Sequence, residues 1–220
     1  MGDHPIIFSA PMVRALLDGR KTMTRRLAWG ELVASDRPRN GWRCEGGRYR
    51  RPSPWQRVQP GDRLWVRESF TTGFEYDDND KPIGDESQVF YAASFKCARW
   101  YDPNKDEWRD SPRWTPSIHM PRDCSRLTLI VTATKIERLQ EISGADCRRE
   151  GIFLDASRGR FIAKHGDDGF APPGGARDAF EHLWRSLHGP ESWAANPEVV
   201  ALTFRIVRAN IDSAEAFPND

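Results

Sequence analysis

The stretch "LTLIVTATKIERL", Leu127 to Leu139, decides how this chain folds. Leu127, Leu129, Val131 and Ala133 recur at every second position, the period of a strand with one buried face. "SGADCRREG" follows almost at once. Ser143 is placed to cap a helix, Asp146 lies three positions on, and Gly151 stops it. A second alternating run closes the chain: "EVVALTFRIV" sets Val200, Leu202, Phe204 and Ile206 on one face. Toward the N-terminus, "PIIFSAP" is a short buried strand and a turn. "PMVRALLDG" then offers Pro at a helix start and Gly19 as its stop. "PGDRLWVRESF" turns sharply into a strand carrying Leu64 and Val66. "ARDAFEHLWRSLHG" is an amphipathic helix whose stripe includes Phe180 and Trp184. Strands dominate and no βαβ rhythm appears. The expectation is one α+β domain over residues 1–220, with strands near 5–8, 62–68, 127–134 and 199–207 in one mixed or barrel-like sheet. Two or three helices flank it. Stretches rich in turn residues, about 30–58, 71–116 and 153–175, are expected to be loop insertions, with one strand at "QVFYAAS" in the second.

With 220 residues the chain can bury one sizeable core. The formal net charge of +1 gives no whole-chain signature of a nucleic-acid binder. The distribution is uneven, however. Residues 1–70 carry 14 Arg and Lys against 7 Asp and Glu, and residues 71–110 carry 5 against 10. That is a basic section beside an acidic one. Cys44, Cys97, Cys124 and Cys147 show no zinc-like spacing, so neither a metal nor another cofactor is expected. "MGDHPIIFSAPM" lacks the basic start and long apolar run of a signal peptide, and no run reaches the length of a membrane span. A cytoplasmic protein with no membrane partner is the expectation; the oligomeric state leaves no trace in the sequence.

"GRKTMTRR", Gly19 to Arg26, packs four cations and two threonines into eight residues. A solvated turn would account for it; so would a site for a phosphate-bearing or nucleoside-like ligand. In an extended segment Lys21 and Thr24 would face opposite ways, whereas a turn lets them converge. Arg43, Arg48, Arg50 and Arg51 lie among Trp42, Tyr49 and Trp55. Guanidinium groups contact phosphates and rings stack on bases, so that segment suits single-stranded RNA.

"LLDGRKTMTRR", "PGDRLWVRE", "LTLIVTATKIERLQEIS" and the final "VALTFRIV" together resemble the ASCH family, a branch of the PUA-like β-barrel folds, in a longer form of phage or prophage type. The resemblance covers roughly residues 5–30, 58–70, 118–152 and 176–208. It implies an RNA or modified-nucleoside partner and, by analogy with small members that are amidohydrolases acting on N4-acetylcytidine, hydrolytic chemistry. The implied working residues are Lys21, Thr24 and a downstream Glu. The last points to Glu150, with Glu137 and Glu141 nearby. The alternative is a reader without turnover or a phage accessory factor.

A threonine hydroxyl needs a base beside it, and Lys21 can be that base only when neutral. Backbone N–H groups after Gly19 are the expected oxyanion donors. Arg20, Arg25, Arg26, Trp65 and Glu68 are the remaining ligand-contact candidates. Arg25 and Arg26 could instead pair with Asp77, Asp78 and Asp80.

Overall fold

The computed structural model describes residues 1–35, 39–76, 79, 81–95, 100–102, 107–109, 111–156, 159–162 and 174–217. The elements run β1 (Asp3–Ile7), α1 (Ala10–Leu17), β2 (Met23–Leu27), β3 (Trp29–Val33), β4 (Arg43–Glu45), β5 (Arg48–Pro52), β6 (Arg63–Arg67) and β7 (Phe70–Tyr76). Then come β8 (Pro82–Tyr91), β9 (Trp100–Asp102), β10 (Glu107–Arg109), β11 (Thr128–Arg138), α2 (Gly144–Arg149), β12 (Phe153–Asp155), β13 (Arg160–Ile162), α3 (Ala176–His188) and β14 (Glu198–Val207). The fold is α+β, mostly strands.

Five strands form the central sheet in the order β1-β6-β11-β14-β2. β1 pairs parallel with β6, and the other three pairings are antiparallel, so the sheet is mixed. The four segments expected to share a sheet do share it. Among the described strands the sheet is open, with β1 and β2 at its edges. Cores lie on both faces. Val200 and Leu202 join Phe8, Val13, Leu16, Leu64 and Leu129 in one. Their neighbour Val199 joins Leu139, Ile142, Cys147, Phe180 and Trp184 in the other, beneath α2 and α3. Successive strand residues face opposite sides, so the double coverage follows from the apolar run "EVVAL".

Local chemistry sets the helix ends. The Asp146 N–H donates to Ser143 Oγ at 3.0 Å and caps α2. The chain leaves α1 through Gly19, at a φ of +70° that only glycine adopts without strain.

Three expectations change, the first because 153–175 holds the antiparallel pair β12–β13. Residues 30–58 are not irregular, because they form a three-stranded antiparallel sheet in the order β3-β5-β4. Gly46 (φ +56°) and Gly47 (φ +77°) make the two-residue turn between β4 and β5, and positive φ at both positions matches the strand twist. Residues 71–116 contain two antiparallel hairpins, β7–β8 and β9–β10. Ring contacts link them, with Tyr76 5.6 Å from Tyr101 and 5.4 Å from Trp108 between centroids. Asp77, Asp78 and Asp80 lie outside the described residues, as do Arg37 and Cys97.

Candidate functional site

"GRKTMTRR" is a turn only for its first half. The N–H groups of Arg20 and Lys21 both donate to the Ala15 carbonyl, which completes the exit from α1. Lys21 then makes an isolated antiparallel bridge with Glu150, the residue that ends α2. The Thr22 N–H donates to Arg149 O at 2.8 Å, and β2 starts at Met23. Thr24 therefore sits on an edge strand, not a loop, and it is buried. The N–H groups of Gly19, Arg20, Lys21 and Thr22 are all engaged within the chain, so they are not the expected oxyanion donors.

The Lys21 side chain is 2% exposed. Its Nζ donates to Glu150 Oε2 at 2.7 Å and to the Glu150 backbone oxygen at 3.0 Å. Burial pushes the ammonium below the ordinary lysine range. Glu150 opposes that by charge and hydrogen bond, while Arg26 and Arg25 add to it. The Lys21 Nζ lies 5.8 Å from the Phe8 ring centroid, and the Arg26 Cζ lies 5.2 Å from the same centroid and 5.7 Å from that of Trp55. Arg26 also donates to Ile7 O at 2.7 Å. Thr24 and Arg26, two apart on one strand, face the same side. Lys21 and Arg26 thus converge near Phe8, with Glu150 on the Lys21 amine, and Thr24 lies on the strand face that Arg26 occupies.

Arg25 faces the other way, beneath α2 and α3. Its side chain is fully buried, and carboxylates surround it. Nε and Nη2 donate to Glu137 Oε1 at 3.0 and 2.6 Å, Nη1 to Glu150 Oε1 at 3.1 Å, and Nη2 to Asp146 Oδ2 at 3.1 Å. Lys135 Nζ closes the cluster, 2.9 Å from Glu137 Oε2 and 3.0 Å from Asp146 Oδ2. Burial works against the Arg25 charge, but Glu150 and Glu137 outweigh it and the guanidinium holds its proton more tightly than usual. Lys21, Arg25 and Lys135 balance Glu137, Asp146 and Glu150. Arg25 is therefore buried and fully engaged by carboxylates beside Lys21.

The remaining candidates scatter. Arg20 pairs with Asp18 at 2.7 Å and lies over the Phe153 ring. Glu68 is 1% exposed and held at 2.9 and 3.0 Å by Arg126. Burial pushes its carboxyl up, against the pull of Arg126. Trp65 on β6 is half-buried under Arg67. Arg48 donates to Leu32 O, and Arg51 lies over Trp42. Arg43 and Arg50 line a cavity of about 470 Å³ with Trp29, Arg138, His188 and Glu198. Arg43 stacks 4.1 Å from the Trp29 centroid and pairs with Glu198 at 2.7 Å, while Arg50 pairs with Glu45 at 2.9 Å. Leu27, on the cavity wall, lies six residues along the chain from Lys21, roughly 20 Å at strand spacing.

The sequence reading missed Phe8 and gave Asp146 only a capping role. Lys135 and Glu137 carried a usable signal: opposite charges two apart share one strand face.

Gly151, just after Glu150, has a φ of +100°, and a Cβ there would sit 3.6 Å from Lys21 Cβ. Gly151→Ala is expected to lower stability by about 1–2 kcal/mol through backbone strain, read as a lower urea midpoint at unchanged slope.

No group of three or more His, Cys, Asp or Glu side chains among the described residues is arranged to hold a metal. No described helix is long and apolar enough to cross a membrane. No protein-family model, curated protein or solved structure matches the chain.

Proposed function

We propose that this chain is a PUA-like domain of the ASCH type that binds a modified nucleoside and hydrolyses an acylated, cytidine-type amide. The observation that carries the reading is the buried Lys21–Glu150 pair at the start of the strand bearing Thr24. A lysine whose proton is loosened by burial and by two neighbouring arginines is suited to act as a base. Neutral Lys21 takes the Thr24 proton as Thr24 Oγ attacks the amide carbon. The tetrahedral intermediate then expels the exocyclic amine, which takes the proton from Lys21, leaving an ester on Thr24. Water, deprotonated by Lys21, cleaves that ester and restores the hydroxyl, so one water is consumed and one carboxylic acid released. Glu150 holds the Lys21 amine in place throughout. With the backbone N–H groups engaged, Arg26 is the cation on the Thr24 face that can meet the developing oxyanion. The barrel part of the reading is supported by the Arg26–Ile7 hydrogen bond, which ties the two edge strands β2 and β1 together.

Incubation with acylated and unmodified nucleosides, followed by mass spectrometry, tests the reading. Loss of an acyl mass from the cytidine derivatives is expected. An unchanged panel at saturating enzyme would rule hydrolysis out.

The cavity beside Trp29 favours a second reading, a single-stranded RNA module without turnover. Three arginines and an indole suit a phosphodiester chain. Affinity for a labelled single-stranded RNA is then expected to fall steeply with salt, as phosphate contacts release condensed counterions. Salt-independent affinity, or none at low salt, would leave Arg43 and Arg50 as partners of Glu198 and Glu45 only.

A further inference from the structure

We infer that Arg25 is a positioning residue of the candidate site: it fixes the Glu150 carboxylate, and through it the Lys21 amine, by anchoring both to Glu137 and Asp146. The inference rests on the hydrolytic reading of the Lys21 site. Its geometry stands apart from Thr24.

Glu150 is shared. Its Oε2 accepts from Lys21, and its Oε1 accepts from Arg25. A carboxylate on the residue that caps a six-residue helix would otherwise be free to rotate. Here one planar guanidinium spends its donors on Glu137 of β11, Asp146 of α2 and Glu150. Arg25 can bridge three acceptors because its donors lie in a fixed fork, which lysine lacks. Three elements thereby set where one carboxylate oxygen stands relative to one amine. The charged groups facing Lys21 are Glu150 from the end of α2, and Arg25 and Arg26 from β2. Those facing Arg25 are Lys21; Glu137 and Lys135 from β11; Asp146 and the Cys147 thiol from α2; and Glu150. Burial pushes that thiol up to about 11, so it stays neutral near pH 7.

Two variants perturb this arrangement in opposite senses. Arg25→Gln combined with Glu137→Gln removes one cation and one carboxylate, so the cluster stays balanced. The Lys21 titration midpoint then rises toward 10.5, because the nearby guanidinium is gone. Glu137→Gln alone leaves Arg25 in place and unmasks its charge, and the midpoint falls further. Carbon-13 NMR of labelled lysine side chains follows Lys21 directly, with its signal assigned by its absence in Lys21→Arg. Opposite shifts in the two variants are expected. Midpoints left where they are in both variants would show that Arg25 does not act on the Lys21 amine, and that result would overturn the inference. Glu137→Gln retains the buried guanidinium and its bonds to Glu150 and Asp146, so it reports even where the double variant unfolds. The turnover number is expected to drop about 10- to 100-fold in the double variant with KM unchanged, the usual effect of losing a group that orients a reacting residue. The NMR result needs no turnover. Shifts without hydrolysis by the wild type support positioning and sink the hydrolytic reading; hydrolysis without shifts does the reverse.

Discussion

Thr24→Ala is expected to fold, to bind its ligand and to lose hydrolysis on the order of a thousand-fold or more, because no other group replaces the nucleophile. Thr24 lies buried on edge strand β2, and the change removes a hydroxyl and a methyl-sized group for roughly 1 kcal/mol of stability. Thr24→Ser keeps the oxygen and retains part of the activity. Lys21→Arg fails for a different reason: a guanidinium stays protonated and accepts nothing. The pH profile adds a signature. Burial and the charges of Arg26 and Arg25 lower the proton affinity of Lys21, so hydrolysis rises with pH and levels off below the ordinary lysine value of 10.5. A pure reader behaves otherwise. Its Thr24→Ala loses about 1 kcal/mol of affinity at most, the worth of one neutral hydrogen bond, and Lys21→Arg binds nearly as well as the parent. Full hydrolysis by Thr24→Ala, measured by single-turnover product formation, ends the nucleophile assignment.

The fold was legible where the pattern was local. Alternation in "LTLIV" and "VALTFRIV" marked β11 and β14, and Ser143 and Gly19 marked helix ends, because period and caps are properties of neighbours in sequence. Strand β2 was not legible. "MTRRL" carries three polar residues in five, and its partners, Ala201 against Arg25 and Leu202 against Thr24, arrive from a strand some 180 residues away. The β4–β5 hairpin announced itself in Gly46-Gly47, but the arginines around it masked the strands. Within the site, Lys21 and Glu150 came from the family resemblance, and the structure sets them 2.7 Å apart. The division of labour between Arg25 and Arg26 could not be read, since adjacent residues on a strand face opposite cores only once the strand is known. Glu68 looked like a site residue from its place after a turn. Its buried pairing with Arg126 is a long-range fact.

Glu150→Met alone is expected to cost about 3–5 kcal/mol of stability, while Lys21→Met combined with Glu150→Met costs far less or stabilises. Lys21 is 2% exposed, and Glu150 raises its proton affinity by charge and by hydrogen bond. Without that carboxylate, the ammonium is stranded beside Arg25 and Arg26 with no compensating charge. Against an ordinary stability of about 5–15 kcal/mol, such a loss brings the variant near its threshold. The loss depends on pH with a definite sign. Lys21 in the folded variant has a proton affinity below that of the unfolded chain, which titrates near 10.5. Between the folded midpoint and 10.5 the unfolded state binds more protons, so stability rises with pH across that window; below the folded midpoint the full penalty remains. The double variant removes both charges, leaves Arg25 and Lys135 against Glu137 and Asp146, and fills the space with two apolar side chains of similar length. It should therefore unfold with little of that pH dependence. Denaturant titrations at pH 7 and pH 9.5 on the two variants and the parent read both effects. Equal losses in the single and double variants, or a Glu150→Met protein that gains no stability at high pH, would show that the pair is not a buried charge pair in solution.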